Sequence, residues 1–181
     1  MNGQSLVRVL PFELAVTPPE RVACLFDVHH DRLYRLARRI APTIDDALDL
    51  VQETFLRAAR SIRSIPVGAS QEEAWLVRVL INIRRDQWRK KSVRDHHDEP
   101  GPAVSTADPE AALIAKNIIW RALNILPPRR RAIVVMHELE GLGIPAIAAL
   151  LGITTITVRW HLSVARRDLA KARSAYRGDT K

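Results

Sequence analysis

Residues 140–171 read EGLGIPAIAALLGITTITVRWHLSVARRDLAK, a pattern typical of two helices that meet at a tight turn. Pro145 suits the first turn of a short helix, where a backbone N–H is not needed. Gly152 is free to adopt the positive φ that ends a helix, and the hydroxyl of Thr154 can cap the next one. Apolar residues recur with helical spacing in both segments, and these should face inward: Ile147, Leu150, Leu151, then Val158, Leu162, Ala165 and Leu169.

The second of these helices carries hydroxyl and guanidinium groups on its other face, which suit phosphates and base edges. The face comprises Thr155, Ile156, Arg159, Trp160, Ser163, Arg166 and Arg167. The pattern predicts a helix-turn-helix with a basic recognition helix. By this pattern alone, an ordinary helical hairpin with a solvated polar face remains an alternative.

Composition favours a helical protein with a polyanionic partner. The chain has 181 residues, 47% of them apolar, and 28 Lys and Arg against 20 Asp and Glu, a formal net charge of +8. A charge of this size fits nucleic-acid binding, although it can also serve solubility alone. A single cysteine, Cys24, excludes an internal disulfide and is expected to pack in the core of a protein in a reducing cytosol.

Neither a signal peptide nor a membrane span is indicated. The first 16 residues, MNGQSLVRVLPFELAV, are interrupted by Arg8, Pro11 and Glu13 and are expected to form a loose N-terminal arm. No stretch approaches the roughly 18 consecutive apolar residues of a transmembrane helix. The sequence predicts a soluble, cytoplasmic protein.

Two helix-start signals open the N-terminal half. Thr17 with Glu20 predicts a helix that ends before Pro42, and Thr43 with Asp46 predicts the start of a second helix, from Asp45 to Ile62. The first should bury Val22, Phe26, Leu33, Ala37 and Ile40, and the second should bury Ala47, Leu50, Val51, Thr54, Ala58 and Ile62.

The second helix also presents a compact acidic and amide patch, formed by Asp45, Asp49, Gln52, Glu53 and Leu56. A charge run of this kind is often only a solvated face. Because nucleic acid would be repelled here, any partner of this face should be a protein.

A loop at residues 63–70 precedes a long helix from Gln71 to about Lys91, with Ser70 and Glu73 as a capping box. Trp75, Leu76, Val79, Leu80 and Ile83 should form its buried side. A polar stripe of Arg78, Asn82, Arg85, Asp86 and Arg89 ends in Lys90 and Lys91. Such a loop and helix can hold an unstacked base while the basic end grips phosphates, or the stripe is simply solvated.

Periodicity disappears at residues 92–107, which predicts a linker between two helical domains. Beyond it, Asp108 and Pro109 should open a helix that contains Leu113, Ile114, Ile118, Trp120, Ala122 and Leu123. Residues 126–128 should break that helix. A further helix from Arg129 to Leu139 should bury Ala132, Val135, Met136 and Leu139 and stop at Gly141. The predicted fold is all-α, with a domain at 17–91, a linker at 92–107, a domain at 108–173 and a tail at 174–181.

No catalytic constellation and no cofactor motif is recognisable. The pairs His29-His30 and His96-His97 suggest a metal site, but adjacent residues on a helix point about 100° apart and no second ligand pair accompanies them. We therefore predict no metal.

Three motifs in register resemble the extracytoplasmic-function sigma factors of bacterial RNA polymerase. They are DDALDLVQETFLRA at 45–58, then Trp75-Leu76 with Asn82, Asp86 and Arg89, then Leu126-Pro127 ahead of the helix-turn-helix. The resemblance extends from Phe26 to Leu169. It implies two helical domains, called regions two and four, joined by a flexible linker.

The resemblance also implies partners. Asp45, Asp49, Gln52, Glu53 and Leu56 match the surface that docks on the β′ clamp helices of core RNA polymerase, and region four would meet the β flap. An anti-sigma factor would hold the protein inactive. The residues that match the reader of the minus-ten promoter element, with its flipped base, are Ser64, Val67, Ser70, Arg78, Asn82, Arg85, Asp86, Arg89 and Lys90. Those that match the reader of the minus-thirty-five element are Thr154, Thr155, Thr157, Arg159, Trp160, Ser163, Arg166 and Arg167.

Some positions depart from the family pattern, and two other classes compete with it. Ala146 replaces a common acidic residue, Val164 replaces a usual arginine, and Trp160 with His161 replaces small or basic residues. Trp160 either packs on a sugar or thymine methyl group or shields the core of its own domain. A LuxR-type regulator would share the Thr-Val-x-x-His pattern at 157–161, but it would need a receiver or ligand domain. A helical metal-dependent hydrolase would need clustered ligands.

Overall fold

The computed structural model describes residues 17–94 and 122–178, which contain helices and turns and no strand. Residues 122–124 are helical. The remaining elements are α1 (Pro18–Ile40), α2 (Ile44–Arg60), a 3₁₀ turn (Ile62–Ser64), α3 (Ala69–Arg94), α4 (Pro128–Val134), a π turn (Val135–Leu139), α5 (Ile144–Leu151) and α6 (Thr155–Gly178). The all-α prediction is confirmed. The N-terminal arm, most of the linker, the start of the helix after Asp108 and His96-His97 lie outside the described residues.

Side-chain caps fix the starts of the first two helices. The Thr17 hydroxyl accepts from the backbone N–H of Glu20, whose carboxylate accepts from the backbone N–H of Thr17 at 2.8 Å. The hydrogen bond that the Thr17 backbone N–H donates to this carboxylate, and then a contribution from the Thr17 side chain, lower the pKa of Glu20. The Thr43 hydroxyl accepts from the backbone N–H of Asp46 at 3.0 Å. Both predicted helix starts are confirmed because each hydroxyl satisfies an N–H that lacks a partner within its helix.

The start and end of α3 differ from the prediction. The helix begins at Ala69, so Ser70 lies inside its first turn and is not its cap. Glu73 binds the guanidinium of Arg32 at 3.0 Å instead of closing a capping box. At the other end the helix continues to Arg94, past the predicted limit near Lys91, since neither Pro nor Gly interrupts residues 92–94.

One apolar core runs through both parts of the described chain, which we call the N-terminal half (17–94) and the C-terminal half (122–178). Every residue predicted to face inward from α2 is buried. Helix α3 packs against α1 and α2 on one side and α4 and α5 on the other. It therefore buries Val77 and Ile81 as well as Leu76, Leu80 and Ile83, while Trp75 and Val79 are only partly buried.

Three residues predicted to be internal lie at the surface. Phe26 is 44% exposed because it sits at the outer edge of α1, against Phe55 and His30. Cys24 is exposed because the inward side of α1 passes through its neighbour Leu25. Leu139 is 50% exposed because it ends the π turn, whose wider repeat rotates it away from the α-helical face.

The helix-turn-helix prediction is confirmed. Gly152 ends α5 with φ 63°, and the Thr154 hydroxyl accepts from the backbone N–H of Thr157 at 3.1 Å to start α6. Val158, Leu162 and Ala165 are buried, Leu169 is partly buried, and Gly141, with φ 67°, turns the chain two residues after the π turn. Among the described residues no single helix has the length and apolarity to cross a membrane. Within the described part of the chain, the helices Ile144–Leu151 and Thr155–Ala172, bent by 108° against each other, reach that length and apolarity as a pair.

Replacing Gly152 by alanine should destabilise the protein by about 1–2 kcal/mol, the cost of placing a β-carbon in the left-handed region. That atom would also approach Nη1 of Arg78 to 3.1 Å. Gly152→Asn is the matched control, because asparagine adopts the left-handed region at lower cost than alanine while introducing the same β-carbon. Urea unfolding measures the free energy of unfolding of both variants. Equal values would contradict the conclusion that the left-handed conformation at position 152 requires glycine.

Candidate nucleic-acid interface

An acidic face lies on the solvent side of α2, opposite its buried residues. It consists of Asp45, Asp49, Gln52, Glu53 and Leu56, and all five reach solvent. Arg57 donates to Glu53 at 2.9 Å and neutralises part of its charge. Leu48, which the sequence interpretation did not single out, is 48% exposed beside them, and Leu56 is 44% exposed. A surface of carboxylates and exposed leucines suits a protein partner better than a nucleic acid.

A recognition face lies on α6, where Arg159, Trp160, Ser163, Arg166 and Arg167 are all exposed. Trp160 is 54% exposed, so the interpretation that it shields its own core is wrong. The hydroxyls of Thr154 and Thr157 contact each other at 2.8 Å at the helix start, and Thr155 and Thr157 are partly buried. These threonines therefore shape the start of the helix, while the exposed arginines supply the positive charge of the face.

Two arginines at the start of α4 enlarge this basic surface, and sequence reasoning did not single them out. The guanidinium of Arg130 donates to Asp168 at 2.6 Å and lies 5.8 Å from the centre of the Trp160 ring. Burial, with Arg129 and Arg130 nearby, lowers the pKa of His161. In the sequence, these arginines are visible as a basic run directly after Pro127-Pro128. Only the packing of α4 on α6 shows that they lie beside the recognition face. Arg166 of the recognition face is also paired with a carboxylate, that of Glu138, at 3.1 Å.

The loop between the 3₁₀ turn and α3 is held by a residue far away in sequence. Arg21 donates to the carbonyl oxygens of Ile62 at 3.1 Å, Ile65 at 2.7 Å and Pro66 at 3.3 Å. This leaves Ser64, Val67 and Ser70 exposed, with Val67 79% accessible. The loop is therefore a fixed platform, and Arg21 is a positioning residue that no local sequence signal reveals.

A cleft of about 290 Å³ lies where the end of α2 meets α3. Its lining combines an amide, an aromatic ring and two guanidinium groups: Arg57, Arg60, Ser61, Trp75, Val79 and Asn82. Of the residues predicted from the polar stripe of α3, only Asn82 lines it. Arg78 lies against Gly152 in the C-terminal half, Arg85 pairs with Asp86 at 3.7 Å, and Arg89 and Lys90 are exposed further along. The stripe is thus divided between four environments.

The two halves are joined by ion pairs and a buried arginine. Glu140 bridges Arg32 at 2.7 Å and Arg39 at 3.2 Å. Arg131 is 3% exposed and donates to the backbone carbonyl of Arg39 at 2.7 Å and to the side chain of Asn124. Burial, and then the nearby Arg84, lower the pKa of Arg131 to about 10, so it remains cationic at neutral pH.

Within residues 17–94 and 122–178, no group of three or more His, Cys, Asp or Glu side chains is placed to bind a metal ion. Nε2 of His29, one member of the first histidine pair, instead lies 3.6 Å from a carboxylate oxygen of Glu72.

Two family models match the chain, one in each half. The Sigma-70 region 2 model matches residues 25–94, and the Sigma-70 region 4 model matches residues 116–169. The extracytoplasmic-function (ECF) RNA polymerase sigma factor SigM of Mycobacterium tuberculosis is 34% identical over 148 residues, which cover 81% of this chain and 74% of SigM. The chain belongs to the ECF sigma factors of the sigma-70 family. This membership does not favour the LuxR-type alternative.

Other relatives place this ECF sigma factor in the same group. SigE of Mycolicibacterium smegmatis is 36% identical over 152 residues, and the alignment spans 78% of this chain but only 57% of SigE. The structure of the sigma factor RpoE with the anti-sigma factor NepR from Bartonella quintana matches with a TM-score of 0.61 and 26% identity, over 82% of this chain and 93% of that one. CnrH, solved with the cytosolic domain of CnrY, shares the fold with a TM-score of 0.57 and 24% identity.

Proposed function

We propose that this ECF sigma factor docks on core RNA polymerase through the acidic face of α2 and contacts promoter DNA through two other surfaces. The recognition face of α6 reads the minus-thirty-five element as a duplex. The loop held by Arg21 and the cleft beside Asn82 bind the opened minus-ten element. The observation that carries the proposal is the exposure of an acidic helix face and a basic helix face on separate halves of one chain.

The chemistry of the cleft supports a role in holding an unstacked base. Its volume of about 290 Å³ is near the lower end of small-ligand pockets, about 300–1,000 Å³. Trp75 offers a surface for stacking, Asn82 offers both donors and an acceptor for a base edge, and Arg57 and Arg60 offer cations for the flanking phosphates. Flipping a base costs a few kcal/mol, which such contacts can offset.

On this proposal the chain performs no catalysis, because promoter opening needs only binding energy. It acts in the cytoplasm, where its polymerase and promoters are. An anti-sigma factor controls it, a proposal supported by the similar structure of RpoE bound to NepR.

The direct test is transcription in vitro with bacterial core polymerase on a library of promoter fragments. Addition of the chain should start transcripts at a defined subset of promoters, and the chain should co-purify with core enzyme. Failure to associate with core polymerase would overturn the proposal.

Arg159→Ala should lower the affinity of the holoenzyme for the minus-thirty-five duplex about 5- to 100-fold, typical for loss of an arginine contact to phosphate or base. Arg166→Ala should have a smaller effect, because wild-type Arg166 gives up its pairing with Glu138 on binding DNA. Wherever a phosphate contact is lost, the slope of log affinity against log salt should decrease by about 0.9. Fluorescence anisotropy at several salt concentrations measures this.

Arg63→Ala is the matched control for that measurement, since Arg63 is an exposed arginine of the N-terminal half, away from the recognition face. Wild-type affinity in both α6 variants would show that another face of the domain reads the duplex.

A further inference from the structure

The beginning of α6 carries an apolar ridge of two exposed residues, Ile156 and Trp160. They are four residues apart and therefore adjacent on one side of the helix. Ile156 is 74% exposed and Trp160 is 54% exposed, although an isoleucine and a tryptophan are costly to leave in water. Contiguous exposed apolar surface on a soluble protein can form a binding site, which makes this ridge a candidate.

Trp160 is held in place by its neighbours. The Arg130 guanidinium lies over its ring at 5.8 Å and is itself anchored to Asp168 at 2.6 Å. The ring of His161 also contacts Trp160 edge-on, with 4.8 Å between ring centres. The indole is therefore presented to solvent in a defined orientation and does not fold back on the core.

The charges around the ridge identify its occupant. Arg159 lies between its two members in sequence, and Arg129, Arg166 and Arg167 lie on the same domain surface. A surface of this sign attracts duplex DNA, and the first residues of a recognition helix are those that approach base edges in the major groove. The one apolar group that the major groove offers is the 5-methyl group of thymine.

We propose that Ile156 and Trp160 determine sequence specificity by packing on thymine methyl groups in the major groove of the upstream promoter element. Arg130 is a positioning residue that orients the indole. This inference deepens the proposed function of the recognition face and rests on it. It specifies which ligand this face prefers. The face should bind duplexes with thymine next to the ridge more tightly than duplexes with uracil or cytosine at those positions.

The test begins with holoenzyme selecting from a library of short duplexes randomised at their central positions. The selected duplex is then resynthesised with each thymine replaced in turn by deoxyuridine, which removes only the methyl group. At one or two positions the Kd of wild-type holoenzyme should rise about fourfold, the factor for losing one buried methyl group. Trp160→Ala and Ile156→Ala should bind the thymine duplex more weakly and lose this discrimination, whereas Trp160→Phe should retain part of it. Arg130→Ala should reduce the discrimination without removing it.

Ile125→Ala is the matched control, because Ile125 is 51% exposed in the same half but lies outside α6. Its discrimination should equal that of the wild type. If no deoxyuridine substitution changes the Kd, or if Trp160→Ala and Ile156→Ala discriminate as the wild type does, the inference is wrong while duplex recognition stands. If Trp160→Ala leaves duplex binding intact but weakens binding to core polymerase, the ridge is a protein-docking surface and the inference also fails. If no duplex is enriched at all, the proposed function of the recognition face fails first.

Discussion

Replacing both Asp49 and Glu53 by lysine is expected to lower the affinity for core RNA polymerase about 30- to 1,000-fold, equivalent to about 2–4 kcal/mol. The two carboxylates lie one helical turn apart on the acidic face. Reversing their charge places two cations against a partner surface that is proposed to bind anions. The internal cost to the chain is small, because the pair lost between Glu53 and Arg57 is an exposed i,i+4 ion pair worth about 0.3–0.5 kcal/mol. Surface plasmon resonance on immobilised core enzyme measures the affinity.

Asp27→Lys with Asp31→Lys makes the matched control, with the same charge change and the same four-residue spacing on the exposed side of α1. Both double variants should unfold at the wild-type temperature and bind minus-thirty-five duplex with similar affinity. Equal losses of affinity for core polymerase in the two variants would indicate a general effect of net charge. The acidic face would then not be the docking surface.

Features encoded by local chain periodicity could be predicted from sequence. The hydroxyl caps at Thr17, Thr43 and Thr154, the left-handed glycine at 152 and the buried side of α2 all follow from residues within one or two turns of each other. The acidic and recognition faces follow from the same periodicity, because they are what remains exposed once the apolar stripe is buried. Their roles in binding stay predictions.

Features that depend on contacts between distant parts of the chain could not be predicted. A single amphipathic stripe was predicted for α3, but the helix is packed on two sides because the C-terminal half lies against it. Arg21 and the loop carbonyls it binds are more than forty residues apart in sequence. Trp75 and Val79, predicted to be core residues, line a cleft because the end of α2 does not cover them.

The contact between the halves also depends on residues that are distant in sequence. Its stability depends strongly on one carboxylate, that of Glu140. Arg131 is nearly inaccessible, and burial together with the nearby Arg84 lowers its pKa to about 10, so holding this cation between the halves costs free energy. Separation of the halves would return this guanidinium to water. Glu140 opposes separation because it pairs with Arg32 and Arg39 at the rim of an open cleft of about 510 Å³, which Arg35 also lines.

Glu140→Lys is therefore expected to separate the halves. The substitution removes two ion pairs from a carboxylate that is only 11% exposed and places a fourth cation among three arginines, a change of about 3–5 kcal/mol. Small-angle X-ray scattering should show a larger radius of gyration, and amide hydrogen exchange should increase at the end of α1 and in α4, where Arg131 now binds the carbonyl of Arg39. Glu138→Lys is the matched control, since Glu138 is half-exposed and the ion pair it forms among the described residues, with Arg166, lies within the C-terminal half. A compact Glu140→Lys variant with wild-type exchange would show that apolar packing between α3 and α5 holds the halves together without these ion pairs.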